Sequence, residues 1–174
     1  MDHADHVALI RDAIGSGETW LELGSGDGAF TLALAELLRD GTIHSVDRDR
    51  GALATQARAV ATRFPEVRLS QRAVDFTAPL EPGPVDGVLM ANALHFVRVP
   101  RPVLALVHSY LKPGGKLVLV EYDADQGNRW VPHPVSWKTW ERLAPENGFS
   151  APRLLGRVPS RFLDAIYASV ASAV

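Results

Sequence analysis

Residues 20–30 read WLELGSGDGAF. An apolar run meets three glycines, Gly24, Gly26 and Gly28, and a second apolar segment follows. A strand that turns through glycines into a helix brings a ligand against the main chain, because no Cβ blocks the approach. Two ligands answer that description. One is a dinucleotide, whose pattern G-x-G-x-x-G/A is met if Ala29 takes the last place. The other is an adenosyl compound that carries no phosphate. Asp47 lies about 20 residues further on, at the end of the next strand, and suits a ribose diol in both cases.

On either side of that turn, strands and helices alternate. Val7, Ile10, Ala13 and Ile14 have helical spacing, so residues 3–14 are expected to be a short amphipathic helix. TWLEL (19–23) is the first strand and GAFTLALAELLRD (28–40) the helix after it. TIHSV (42–46), VRLSQR (67–72), VDGVLMA (85–91) and KLVLVEY (116–122) read as further strands. Helices are expected over 50–64, ended by Pro65, and over 100–111, closed by KPGG (112–115). Residues 136–149 are expected as one helix that Gly148 terminates. APRLLGRVPS (151–160) and FLDAIYASVASAV (162–174) read as two strands with too little chain between them for a parallel crossover, so an antiparallel hairpin follows. The fold class is therefore α/β: a Rossmann-like seven-stranded sheet, mostly parallel, with an antiparallel C-terminal hairpin and helices on both faces.

The 174 residues suit one domain over 1–174, and the 47% that are apolar suffice for a core. A net charge of -2 and a pI of about 6.3 offer no broad basic field, so no nucleic-acid partner is expected. There is no cysteine, which excludes disulfides, thiolate metal sites and cysteine nucleophiles. No apolar run reaches the roughly 18 residues of a membrane span. The acidic start MDHADHVALIRDAI is unlike a secretory signal, and a cytoplasmic location is expected.

Three features separate the two ligands. Glu22 stands at the end of the first strand, two residues before the first glycine, where a dinucleotide site would keep an apolar side chain. A carboxylate there opposes a pyrophosphate but can face an ammonium group. Asp75 and Phe76 follow the third strand, where an Asp can accept from an adenine amino group. The reversed C-terminal hairpin is foreign to a simple doubly wound dinucleotide fold.

At this point the residues resemble the class I S-adenosylmethionine-dependent methyltransferases. LELGSGDG (21–28) is similar to that family's first motif, HSVDRD (44–49) to its acidic second, and AVDF (73–76) to its adenine-binding third. VDGVLMANALHFV (85–97) resembles the fourth-strand motif of the small-molecule branch, and LKPGGKLVLVE (111–121) the entry to the fifth strand. The resemblance implies S-adenosyl-L-methionine as cofactor. It assigns Glu22 and the loop Gly24, Ser25, Gly26 and Gly28 to the methionyl part. It assigns Asp47 to the ribose hydroxyls, Arg48 to the flank of the adenine, and Asp75 with the Phe76 backbone to the adenine edge. Ala91 and Asn92 border the methionyl group through the main chain.

The resemblance also bounds the acceptor. NALH (92–95) replaces the Asn/Asp-Pro-Pro-aromatic motif of enzymes that methylate exocyclic or amide nitrogens. The lack of cysteine removes the covalent route to pyrimidine C5. No metal site is expected. A small organic molecule is the expected acceptor, and the chain is expected to act as a monomer or homodimer. His95, the only ionisable side chain of ANALHFV (91–97), is the candidate general base, with Tyr122, Asp123 and His133 behind it. Trp130 is a candidate pocket wall, whereas Trp137 and Trp140, three apart, fit core packing. Plainer roles compete: Asp49 suits a helix N-cap, and Asp75 a turn. A non-catalytic module that holds the same cofactor, and a dinucleotide-dependent oxidoreductase, are the alternative functions.

Overall fold

The computed structural model describes residues 1–174. β1 (Thr19–Leu23), β2 (Thr42–Asp47), β3 (Arg68–Ala73), β4 (Val85–Ala91) and β5 (Leu111–Tyr122) run parallel, and β6 (Arg153–Pro159) and β7 (Ala165–Ser172) form the expected antiparallel hairpin. The seven strands make one sheet in the order β3-β2-β1-β4-β5-β7-β6, with β7 antiparallel to β5. The chain leaves β1 toward β2 and β3, then returns to place β4 on the other side of β1. That reversal opens a crevice beyond the C-terminal ends of β1 and β4, where open α/β sheets bind ligands.

Helices cover both faces. α1 (His3–Ile10), α2 (Ala29–Leu38) and α3 (Arg50–Arg63) pack on one side, where Ile10, Leu34 and Val60 meet Trp20, Ile43 and Val118. α4 (Arg101–Tyr110) and α5 (Trp137–Leu143) pack on the other, where Leu104, Val107 and Trp140 meet Leu21, Val88 and Leu119. Neighbouring strand residues go to opposite faces, so Trp20 and Leu21 serve different cores. Asp49 caps α3 by accepting from the N–H groups of Gly51 and Ala52.

Four boundaries differ from the sequence reading by three residues or more. The first helix is α-helical only to Ile10 and tightens into a 3₁₀ turn over Arg11–Ala13. The expected helix over 136–149 stops at Leu143: Pro145 cannot continue the hydrogen-bond ladder, and a 3₁₀ turn, Pro145–Asn147, leads to Gly148 at φ +84°. β5 begins five residues before Lys116, because Leu111 already pairs with Val85 before an irregularity in the ladder. β7 begins at Ala165, not at Phe162, and the turn between the hairpin strands closes with Ser160 N–H donating to the Asp164 carbonyl at 3.2 Å.

Candidate functional site

The three glycines after β1 have three different reasons. A Cβ on Gly24 would come within 2.7 Å of the Ala93 Cβ, so Gly24 admits the turn that follows β4. A Cβ on Gly28 would meet the Gln56 Cγ at 2.6 Å, so Gly28 makes room for α3. Only Gly26, at φ +52°, has nothing within 4 Å of that position and leaves its backbone open to a ligand. Asp47, at the end of β2, latches this loop: its carboxylate accepts from the Gly26 N–H at 2.8 Å and the Asp49 N–H at 2.9 Å.

Two cavities meet at this loop and share Gly24 and Asn92 in their walls. The first, about 300 Å³, is bounded by Asp47, Arg48, Asp75, Phe76 and Thr77 on one side and by Ala93, Phe96 and Val97 on the other. The second, about 280 Å³, is bounded by Glu22, Ser25, Gly26, Asp27 and Ala91, with His6 and Phe30 across it. The expected cofactor residues therefore converge on one continuous crevice, except Gly28, which lies behind it. Asp75 does double duty. Its Oδ1 accepts from the Thr77 N–H at 2.9 Å and the Thr77 hydroxyl at 2.7 Å, a turn-forming pattern, while Oδ2 faces Arg48 at 3.7 Å. Those Thr77 bonds, with Arg48, hold the exposed carboxyl below its ordinary range.

Glu22 is 1% exposed, and no basic side chain pairs with it. Its one protein partner is the Thr31 hydroxyl, which donates at 2.5 Å. Burial pushes its carboxyl up to about 8; the Thr31 bond opposes that shift, and the Asp47 charge adds to it. Beside it, Asn92 holds a left-handed φ of +52° and carries the one buried side-chain oxygen without a hydrogen-bond partner, Oδ1. A buried acceptor without a donor costs free energy until a ligand supplies one.

His95 is placed differently from the expectation that it overlooks the site. It is 3% exposed and lines neither cavity. Its Nδ1 lies 2.9 Å from an oxygen of Glu121, itself fully buried in β5, and Glu121 also accepts the N–H groups of His95 and Tyr122. The ring lies against Phe96 at 4.3 Å and Tyr122 at 5.5 Å. Phe96, by contrast, is 61% exposed and walls the first cavity.

The other candidates are occupied or remote. Burial and the charge of Glu121 raise the Tyr122 phenol, which keeps its proton. Asp123 binds Arg157 at 2.6 Å and caps the start of α5 through the Trp137 N–H. His133 is exposed. Trp130 is exposed and lines neither cavity, so it is not the wall expected of it. Trp140 is fully buried, with its indole N–H on Ser169, and Trp137 packs edge-on against Tyr167. Two residues were missed from the sequence. Glu121 gave a usable signal, the one acidic residue in the apolar strand KLVLVEY. His6 gave none: only the packing of α1 on α2 brings it beside Phe30, ring centroids 4.7 Å apart, where burial lowers its pKa.

A family profile described as "Methyltransferase domain" matches residues 21–117. An uncharacterized 37.1 kDa protein in transposon TN4556 of Streptomyces fradiae is 29% identical over 92% of this chain and 52% of its own length. The tRNA 5-carboxymethoxyuridine methyltransferase of Escherichia coli K12 is 33% identical over 60% of this chain and 40% of its own length. The chain thus spans about half the length of these relatives, or less. Among solved structures, the 1,6-didemethyltoxoflavin-N1-methyltransferase of Burkholderia thailandensis, with bound 1,6-didemethyltoxoflavin and S-adenosylhomocysteine, shares the fold: its TM-score is 0.76 at 19% identity, over 99% of this chain and 78% of that one.

Proposed function

We propose that this chain, which belongs to the class I S-adenosylmethionine-dependent methyltransferases, transfers the methyl group of that cofactor to a small organic molecule. The observation that carries the reading is the pair of joined cavities. One offers Asp47 and Asp75 to the ribose and adenine. The other offers a buried carboxylate, Glu22, and the orphaned oxygen of Asn92 to a methionyl ammonium. Glu22 and Asp27 oppose a pyrophosphate, which speaks against a dinucleotide.

When bound, the cofactor supplies an electrophilic methyl group. The chain's own work is to align an acceptor, exclude water and remove a proton where the acceptor carries one. His95 is our candidate for the proton. Its Nδ1 is held by Glu121, and no protein group takes Nε2. A neutral ring with its proton on Nδ1 keeps a lone pair on Nε2, and Glu121 stabilises the imidazolium that forms. Because the ring is nearly covered, Phe96 must yield for an acceptor to reach it.

The relative that acts on tRNA raises RNA as an acceptor. A net charge of -2 argues for a small molecule instead. We read residues 1–174 as one domain, a monomer or homodimer, acting in the cytoplasm; no helix is long and apolar enough to cross a membrane.

The test is calorimetric titration with S-adenosylhomocysteine, S-adenosylmethionine and NAD(H). We expect binding of the two adenosyl ligands and none of NAD(H). Tighter binding of NAD(H) overturns the reading.

A further inference from the structure

A chain of buried hydrogen bonds starts at a main-chain carbonyl in α3 and ends on Glu22. The Gln71 amide donates to the Leu53 carbonyl at 2.8 Å, and also to the Gln56 Oε1 at 2.6 Å. The Gln56 Nε2 donates to the Thr31 hydroxyl at 2.8 Å, and that hydroxyl donates to Glu22 at 2.5 Å. Gln56 and Thr31 are fully buried. Gln56 also occupies the space that Gly28 leaves open.

The direction of the bonds from Gln71 to Thr31 is forced. A carbonyl only accepts, so Gln71 must present its amide nitrogen to Leu53. The same nitrogen then meets Gln56, which must answer with its oxygen. That turns the Gln56 nitrogen toward Thr31. The Thr31 hydroxyl accepts there on one of its two lone pairs, and its proton goes to Glu22. Glu22 is thus the acceptor of this bond, which is stronger when Glu22 is ionised and so favours the carboxylate. Without the Gln56 donor the Thr31 hydroxyl is free to turn and accept from a protonated Glu22.

We propose that Gln56 is a positioning residue: through Thr31 it fixes the direction of the hydrogen bond to Glu22 and holds that group as the carboxylate a cationic methionyl end requires. The inference rests on the cofactor assignment above. The titratable groups that face Glu22 are few. They are Asp47 from β2, and Asp27 of the glycine loop and His6 of α1 across the cavity, while β4 and α2 contribute none. Burial drives Glu22 toward the neutral acid, and Gln56 works against that drive.

The experiment is the pH profile of S-adenosylhomocysteine affinity, from pH 6 to 8.5, for the wild type and three folded variants. In the wild type we expect affinity to rise with pH as Glu22 ionises. Gln56→Met keeps the volume beneath Gly28 but removes the donor. We expect it to lose about tenfold in affinity at pH 7, as a midpoint moved upward by about one pH unit requires, and to narrow that gap to about threefold by pH 8.5. Thr31→Val behaves alike, and Thr31→Ser, which keeps the hydroxyl, restores the profile. An equal loss at every pH, or none, in folded Gln56→Met overturns the proposal. If Gln56→Met does not fold, folded Thr31→Val must show the same shift and Thr31→Ser must not; Gln71→Met is no substitute, because the Gly26 carbonyl also accepts from the Gln56 amide at 3.5 Å. Failure of the wild type to bind S-adenosylhomocysteine at any pH refutes the cofactor assignment instead.

Discussion

The two halves of the sheet each bury a carboxylate at the C-terminal end of a strand, and they treat it differently. Glu22 on β1 receives a single hydroxyl proton and faces a cavity. Glu121 on β5 receives two main-chain N–H groups and an imidazole, and lines neither of the two joined cavities. Burying a charge is costly unless it is paired and hydrogen-bonded. Glu121 meets that requirement inside the protein. Glu22 does not, and the balance is left for a cationic ligand. On the proposed function, one carboxylate serves binding directly, and the other acts through the histidine it holds.

The largest effect expected from this contrast is on the β5 side. His95→Asn keeps a donor toward Glu121 while removing Nε2. We expect turnover to fall by about 10²–10⁴-fold once an acceptor is known, with cofactor affinity unchanged. A turnover near wild type would leave the pair purely structural.

Next comes Glu22→Gln. At pH 8.5 it should weaken S-adenosylhomocysteine binding by about a hundredfold, since a charge-assisted bond is worth roughly 1.5–3 kcal/mol, and it should flatten the pH profile. The same change should stabilise the free protein. Glu22 has a raised pKa in the folded state, so the native chain holds a proton that the unfolded chain has released. Between about pH 4.5, its ordinary value, and about 8, the folded state loses stability as pH rises. Glu22→Gln removes that slope. Its melting temperature at pH 8.5 should exceed the wild type's, at about 2–4 °C per kcal/mol for a chain of this size. A variant that binds weakly yet melts no higher would mean that Glu22 is satisfied without a ligand, as Glu121 is.

The smallest effect is on Asp47→Ala. It removes the candidate ribose acceptor and frees the Gly26 N–H, so affinity should fall about tenfold while the protein stays folded. Unchanged affinity in calorimetry would reduce Asp47 to a loop latch.

How far each carboxylate could be read from sequence follows the same division. TWLEL and KLVLVEY carry the same signal, one acidic residue in an apolar strand. Glu22 was readable because glycines follow it two residues later. Glu121 has no such neighbour in sequence; its partner, His95, is 26 residues away and meets it only because β4 and β5 lie side by side. Gly28 shows the converse. It belongs to the ligand-binding pattern by position, but the neighbour that requires it is Gln56 on α3. The expected helix over 136–149 is too long because Pro145, inside it, ends the α-helical ladder six residues early.

Local chemistry determined, by itself, the strand–glycine–helix turn, the alternation of strands and helices, and the closing hairpin. Backbone sterics, side-chain period and connection length act over a few residues and leave their mark in order along the chain. Packing alone decided which polar groups come together: His6 across the cavity from Glu22, Glu121 beneath His95, and the line from Gln71 through Gln56 and Thr31. Hydrogen bonds reach about 3 Å in space whatever the separation in sequence, so those partners become visible only when the sheet brings distant residues together.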